Sequence, residues 1–328
     1  MKNFWKDLHR PFFALAPLAD VTDAAFRQLI AKYSKVADGT PYITWTEFVS
    51  ADGLAMAPEE GRAKLMRDLV FSDAERPIVA QFFTATPKHM EMAASLAQEM
   101  GFDGVDINMG CPAGPIVNQG AGAELIKSPE LAQELVLAAK QGAPNLPVSV
   151  KTRLGYNQDV LDEWLPKLLK VEPIAVTVHA RTRKDMSAVP ARWERVKRAV
   201  EIRNEQGSSA FILGNGDLKD VEDAKEKIKE SGADGAMLGR AIFGKPWMFS
   251  NKLEPELAER LRIAVEHAHL FEEMLSDIKS FAIMKKHFKA YAEGFAGAKE
   301  LRMRLMETTN AKEVEKLIEA FLVHYKME

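Results

Sequence analysis

Along the chain, short runs of apolar and β-branched residues alternate with longer segments in which apolar residues return every three or four positions. The first pattern marks strands buried on both faces, the second amphipathic helices. Strands are predicted at 12–17, 42–49, 77–83, 104–108, 147–153, 174–180, 210–216 and 235–240. Their starts lie roughly thirty residues apart, the length of a βα unit. Helical patterns such as TDAAFRQLIAKYS (22–34), HMEMAASLAQEMG (89–101) and DVEDAKEKIKESG (220–232) fill the intervals. The last two end in the glycine that a helix C-cap favours. Strands alternating with helices in this way predict an α/β fold, a (β/α)8 TIM barrel. A doubly wound open sheet is the competing architecture. From residue 253 onward the strand pattern stops, and ELAERLRIAVEHAHLFEEML, SFAIMKKHFKAYAEG and AKEVEKLIEAFLVHYKM read as amphipathic helices, with Pro255 at the boundary. Residues 1–252 are therefore expected to form the barrel and 253–328 a small C-terminal all-helical domain.

Composition narrows the class without changing that picture. Of 328 residues, 47% are hydrophobic and 28% charged, the proportions of an ordinary globular protein. No apolar run approaches the roughly 20 residues of a membrane span. The N-terminal stretch lacks the basic-apolar-small order of a secretory signal, so a cytoplasmic protein is expected. A net charge of −3 carries no global signature of nucleic-acid binding, although it leaves room for a local basic patch. Cys111 is the single cysteine, which excludes an internal disulfide and any multi-thiolate zinc site. No metal site is expected. Nothing in the composition points to an oligomer or an obligate protein partner, and a monomer is expected.

The candidate chemistry collects at one end of the predicted strands. Strand 3 carries Gln81, strand 4 Asn108 and then Cys111, strand 5 Lys151 and Arg153, strand 6 His179 and Arg181. In a barrel these C-terminal ends and the loops after them form the active face. Polar residues on otherwise apolar strands are costly to bury without partners, so their gathering at one end argues for a ligand. After strands 7 and 8, GNGD (214–217) and GRAIFGKP (239–246) place glycines and Arg240 where barrels commonly hold a phosphate. Cys111 lies in a Gly/Pro-rich loop at the same face. A thiol with an ordinary pKa near ~8.5 is mostly protonated at neutral pH and can act as a general acid. The residues alone thus point to a phosphate-bearing ligand, a polar mouth and one thiol.

In order, APLADVTDAAFR (16–27), QFF (81–83), DINMGCP (106–112), GAELI (122–126), VKTRLG (150–155), HARTR (179–183), GNGD (214–217) and MLGRAIFGKPWMF (237–249) resemble the tRNA-dihydrouridine synthases. The tail segment KKHFKAYAEGFAGAKELR (285–302) is similar to part of that family's C-terminal domain. The resemblance implies an FMN-binding barrel, a helical domain that helps to hold tRNA, and reduction of the C5–C6 double bond of specific uridines in tRNA. NADPH reduces the flavin, a hydride passes from flavin N5 to C6, and a cysteine protonates C5. By resemblance Cys111 is that catalytic acid. Pro17, Leu18, Ala19, Gln81, Lys151, His179, Asn215, Gly216, Asp217, Gly239 and Arg240 should bind the cofactor. Asn108, Arg153, Arg181 and Arg183 should meet the substrate, as should Lys285, Lys286 and Lys289 in the tail, where Arg302 and Arg304 extend the basic run.

Some positions depart from the family pattern. Leu18 stands where methionine is usual, Gly114 where lysine is common, and Ala180 where HGRTR has glycine. The region of Met186 and Ser187 lacks a common aromatic. These changes bear on which uridine is modified more than on the flavin chemistry. Two other readings remain open at this point. One is an FMN-dependent dehydrogenase of a free pyrimidine, of the dihydroorotate or dihydropyrimidine dehydrogenase kind. The other is an RNA-binding barrel without catalysis.

Overall fold

The computed structural model describes residues 3–34, 42–250 and 254–325. Eight parallel strands close into a barrel in sequence order: β1 (Phe12–Leu15), β2 (Tyr42–Ser50), β3 (Ile78–Phe83), β4 (Gly104–Met109), β5 (Val148–Arg153), β6 (Ala175–His179), β7 (Phe211–Asn215) and β8 (Gly235–Leu238). β1 pairs with β8 from Phe12 opposite Gly235 to Leu15 opposite Leu238, which completes the ring. The strands are almost wholly buried, as expected where helices cover the outside and side chains fill the inside. The predicted barrel, and not the open sheet, is the fold.

The helices between strands follow local rules. Helix Val221–Ser231 starts on Asp220, whose side chain accepts a hydrogen bond from the Asp223 N–H at 2.8 Å. It stops at Gly232, which takes the left-handed conformation (φ 71°) and donates to Ile228 O. Near the N-terminal ends of the strands, Trp5 stacks on Phe211 and meets Phe12 and Trp45 edge-on, with ring centroids 5.6–6.3 Å apart. This aromatic cluster closes the interior at that end, with the Arg10 guanidinium over the Phe211 ring.

The described residues separate into two compact units. Residues 3–17, 42–70 and 76–240 contain the barrel; residues 18–34, 71–75, 241–250 and 254–325 contain the second unit. The expected junction between 252 and 253 lies outside the described residues. Within the second unit, helix Ala24–Ser34 packs with helix Leu257–Leu275, and Lys32 and Tyr33 both bond the Glu266 carboxylate at 2.6 Å. Helices Met284–Tyr291, Ala298–Leu305 and Ala311–Tyr325 follow. The interior holds Phe26 stacked on His267 at 4.6 Å and a fully buried Arg27–Glu75 ion pair at 2.8 Å. No helix among the described residues is long and apolar enough to cross a membrane.

Candidate active site

Side chains two residues apart on a strand share a face, and paired residues on parallel neighbours lie side by side. β4 presents Asp106 and Asn108, and β5 presents Ser149, Lys151 and Arg153, with Asp106 opposite both Gln81 and Ser149 and Asn108 opposite Lys151. Arg153 is opposite His179, and His179 opposite Asn215. These registers bring residues from β3 to β7 to the C-terminal end of the barrel.

On the β3–β4 side, Gln81 Nε2 donates to Asp106 Oδ2 at 2.6 Å and Asn108 Nδ2 donates to Gln81 Oε1 at 2.9 Å. Asn108 Oδ1 then accepts the N–H groups of Gly110 (3.1 Å) and Cys111 (2.8 Å). The strand irregularity in β2 between Trp45 and Phe48 has a use here, because Thr46 Oγ1 accepts the Gln81 backbone N–H at 3.0 Å. Arg153 holds the opposite pole of the same turn: Nε donates to Gly110 O at 2.6 Å and Nη1 to Thr182 O at 3.1 Å. The Cys111 turn is therefore gripped by both its N–H and its C=O groups. Cys111 itself is half-buried and packs against Phe83, Ile116 and Ala121. Burial pushes its pKa up, and this outweighs the Ala113 backbone hydrogen bond and the charges of Arg153 and Lys151 that pull it down. The sulfur therefore keeps its proton at neutral pH, as an acid needs to.

Across the mouth, burial brings Lys151 down to about 8, with Arg153 adding repulsion. It remains mostly cationic at pH 7, and its Nζ donates to Asn215 Oδ1 at 3.2 Å. Asn215 is oriented in turn by donating from Nδ2 to Met237 O at 2.7 Å. His179 is held well below its ordinary pKa, first by burial and then by the surrounding Arg153, Lys151, Arg181 and Arg240 charges, so it is neutral. Its Nε2 lies 3.4 Å from Arg181 Nη1, which only donates; the imidazole proton therefore resides on Nδ1.

The loops after β7 and β8 form a cradle. Gly216 has φ +124°, and a Cβ there would lie 2.9 Å from Ala191 Cβ and 3.1 Å from His179 Cδ2. A Cβ on Gly239 would meet nothing nearer than Ala16 Cβ at 3.8 Å, so space lies open beside that backbone. Arg240 is exposed and donates to Asp217 Oδ1 at 3.1 Å. An exposed arginine, two glycine backbones and a partly buried lysine suit a phosphate monoester and a flat carbonyl-bearing ring. The Asp217 carboxylate cannot itself take an anionic oxygen. It accepts from Arg181, from Arg240 and from the Ala191 N–H, which orients the two arginines.

The other expected residues are distributed as follows. Pro17 is buried after β1; Leu18 and Ala19 begin a segment of the second unit, where the Leu18 N–H donates to Thr22 Oγ1 at 2.9 Å. The Arg181 guanidinium is buried and committed to Val189 O (2.6 Å) and Asp217. Arg183 lies 5.1 Å from the Tyr156 ring centroid. Lys285, Lys286 and Lys289 share helix Met284–Tyr291 of the second unit, with Lys286 Nζ 3.7 Å from Asp20. Arg302 and Arg304 lie on helix Ala298–Leu305. No group of three His, Cys, Asp or Glu side chains that could hold a metal ion occurs among the described residues.

Sequence reasoning missed Asp106 as a site residue. Burial raises its carboxyl from 3.8 to about 6, against the hydrogen bonds from Ser149 and Gln81 and the charge of Lys151. An acidic residue two positions before Asn108 in an otherwise apolar parallel strand was the available signal, since it must share the Asn108 face.

A family model described as dihydrouridine synthase (Dus) matches residues 14–326. A protein of Staphylococcus aureus (strain COL) named "Probable tRNA-dihydrouridine synthase" is 36% identical over 326 residues, covering 98% of this chain and 96% of its own. A Bacillus subtilis (strain 168) protein named "Probable tRNA-dihydrouridine synthase 2" is 37% identical over 326 residues, covering 98% and 97%. Among solved structures, 6-hydroxypseudooxynicotine amine oxidase from Pseudomonas geniculata N1 superposes with a TM-score of 0.51 at 13% identity, covering 72% of this chain and 46% of that one. That last likeness concerns the fold alone.

Proposed function

Because the chain belongs to the dihydrouridine synthase family, we propose that it reduces the C5–C6 double bond of specific uridines in tRNA to dihydrouridine, with Cys111 as the proton donor. The observation that carries this reading is a half-buried thiol, kept protonated by its surroundings, on a turn held at the mouth of the barrel. Bound FMN, with NADPH as its reductant, would supply the hydride for C6 of the uracil. Lys151 would place positive charge beside the ring, and Gln81 and neutral His179 would meet its polar edges. Asn215, the Gly216 and Gly239 backbones and Arg240 hold the phosphate end, with Asp217 orienting Arg240. Pro17, Leu18 and Ala19 line the ring.

On the substrate side, Asn108 and Arg153 meet the uracil carbonyls and Cys111 delivers its proton to C5. The target base leaves the folded tRNA to reach this mouth, a form of base flipping. Arg181 and Arg183 lie near the RNA, and Arg181 acts there through Asp217. Residues 1–252 carry the chemistry and 253–328 bind tRNA, with Lys285, Lys286 and Lys289 meeting phosphates. The protein works in the cytoplasm as a monomer.

The test is mass-spectrometric mapping of dihydrouridine in cellular tRNA with and without this protein, together with anaerobic addition of NADPH to the purified chain. A yellow protein that NADPH bleaches, and one or more tRNA uridines that lose modification in its absence, are expected. A protein that cannot be reconstituted with FMN, or that reduces free uracil or orotate but not tRNA, would overturn the reading.

A further inference from the structure

We propose that Asp106 is a positioning residue: its buried carboxylate sets the hydrogen-bond polarity of Gln81 and Asn108 and thereby holds the turn that carries Cys111. This deepens the functional reading and, in its effect on turnover, rests on it. Amide side chains have nearly the same shape either way round, so their orientation is decided by the partners they meet. Asp106 is completely buried and receives Ser149 Oγ at 2.5 Å and Gln81 Nε2 at 2.6 Å. An ionised carboxylate only accepts, so Gln81 must turn its NH2 group toward it. That leaves Gln81 Oε1 to accept from Asn108 Nδ2, and Asn108 Oδ1 to accept from Gly110 and Cys111.

The far end is equally one-sided, because backbone N–H groups only donate. Reversing Gln81 alone would set its oxygen against Asp106 and its NH2 against that of Asn108. Reversing Asn108 as well would set its NH2 against two backbone N–H groups. Every arrangement but the observed one leaves at least one buried mismatch, so both amides keep this orientation while residue 106 is an ionised carboxylate. A single charge on β4 thus fixes one end of a chain of hydrogen bonds whose other end is a thiol-bearing turn five residues later. The sequence gap hides this link, since it passes through β3.

The experiment compares the full chain with its Asp106→Asn variant and with the double variant Asp106→Asn, Gln81→Glu, all at pH 8. Cys111 is the only cysteine, so the rate of its alkylation by iodoacetamide is read from intact mass without tRNA or NADPH. An amide at 106 accepts or donates, so the polarity is imposed from the backbone N–H end alone and the turn loosens. Loss of about one net buried hydrogen bond corresponds to alkylation faster by about tenfold. In the double variant the carboxylate introduced at 81 accepts from the amide at 106 and from Asn108 Nδ2, which restores the orientation of Asn108. Alkylation is then expected to return to about the parent rate. With tRNA, the single variant should lose kcat while KM for tRNA stays unchanged.

An Asp106→Asn protein that alkylates like the parent would overturn the proposal. So would a double variant no slower than the single one, because general packing damage would not be mended by moving the charge. If the single variant fails to fold, a folded double variant supports the proposal and failure of both overturns it. Absence of dihydrouridine formation by the parent would sink the functional reading alone, since the alkylation series is independent of it.

Discussion

Replacing Asp106 by asparagine also measures what it costs to keep a carboxylate ionised in the barrel interior. The native carboxyl titrates at about 6 instead of 3.8, chiefly because burial removes its hydration. At about 1.4 kcal/mol per decade, that difference corresponds to about 3 kcal/mol. The sign follows from proton counting. Between about pH 6 and pH 4 the folded protein binds a proton at Asp106 that the unfolded chain has released. Stability therefore falls as pH rises through that window, and the full cost is present above about pH 6. The asparagine variant has no such titration. Any constant penalty from the disturbed amides cancels when the parent-minus-variant difference is compared at two pH values. Because the unfolded carboxyl is already more than half ionised at pH 4, that difference should shrink by about 2.5 kcal/mol between pH 4 and pH 7. For 328 residues, whose unfolding entropy is about 0.7 kcal/mol/K, it amounts to roughly 3–4 °C in relative Tm, read by thermal unfolding at each pH. A difference that does not change with pH, or that grows toward pH 7, would show that Asp106 is not desolvated as described and would refute the reasoning.

Other expectations follow from the same geometry. Cys111→Ala should leave flavin reduction by NADPH unchanged while lowering dihydrouridine formation by about 10²-fold or more, as loss of a general acid does; single-turnover assays with prereduced enzyme check it. Gly216→Ala forces a Cβ to within 2.9 Å of Ala191 Cβ at φ +124°. It should cost about 1–3 kcal/mol and weaken FMN retention, measured by thermal unfolding and by flavin release on dilution. Lys285→Gln combined with Lys289→Gln should weaken tRNA binding and reduce the slope of log K against log salt by about 1.5, from titrations at several salt concentrations.

What the sequence by itself determined was the alternation of elements and their order. Parallel strands buried on both faces announce themselves as apolar runs, and helix ends such as Asp220 and Gly232 are written in capping chemistry. The strand-end positions of Gln81, Asn108, Lys151, His179 and Asn215 were legible for the same local reason: a polar residue at the end of an apolar run stands out. Partnership was not legible, because it depends on register and closure. That Asp106 meets Gln81 and Ser149, that Thr46 takes the Gln81 N–H across an irregular β2, and that Asp217 binds both Arg181 and Arg240 are consequences of which residues face each other in the closed barrel. The grouping of helix Ala24–Ser34 with helix Leu257–Leu275 is likewise a matter of long-range packing. An amphipathic helix shows on its own that one face must be covered, but only the folded chain decides what covers it.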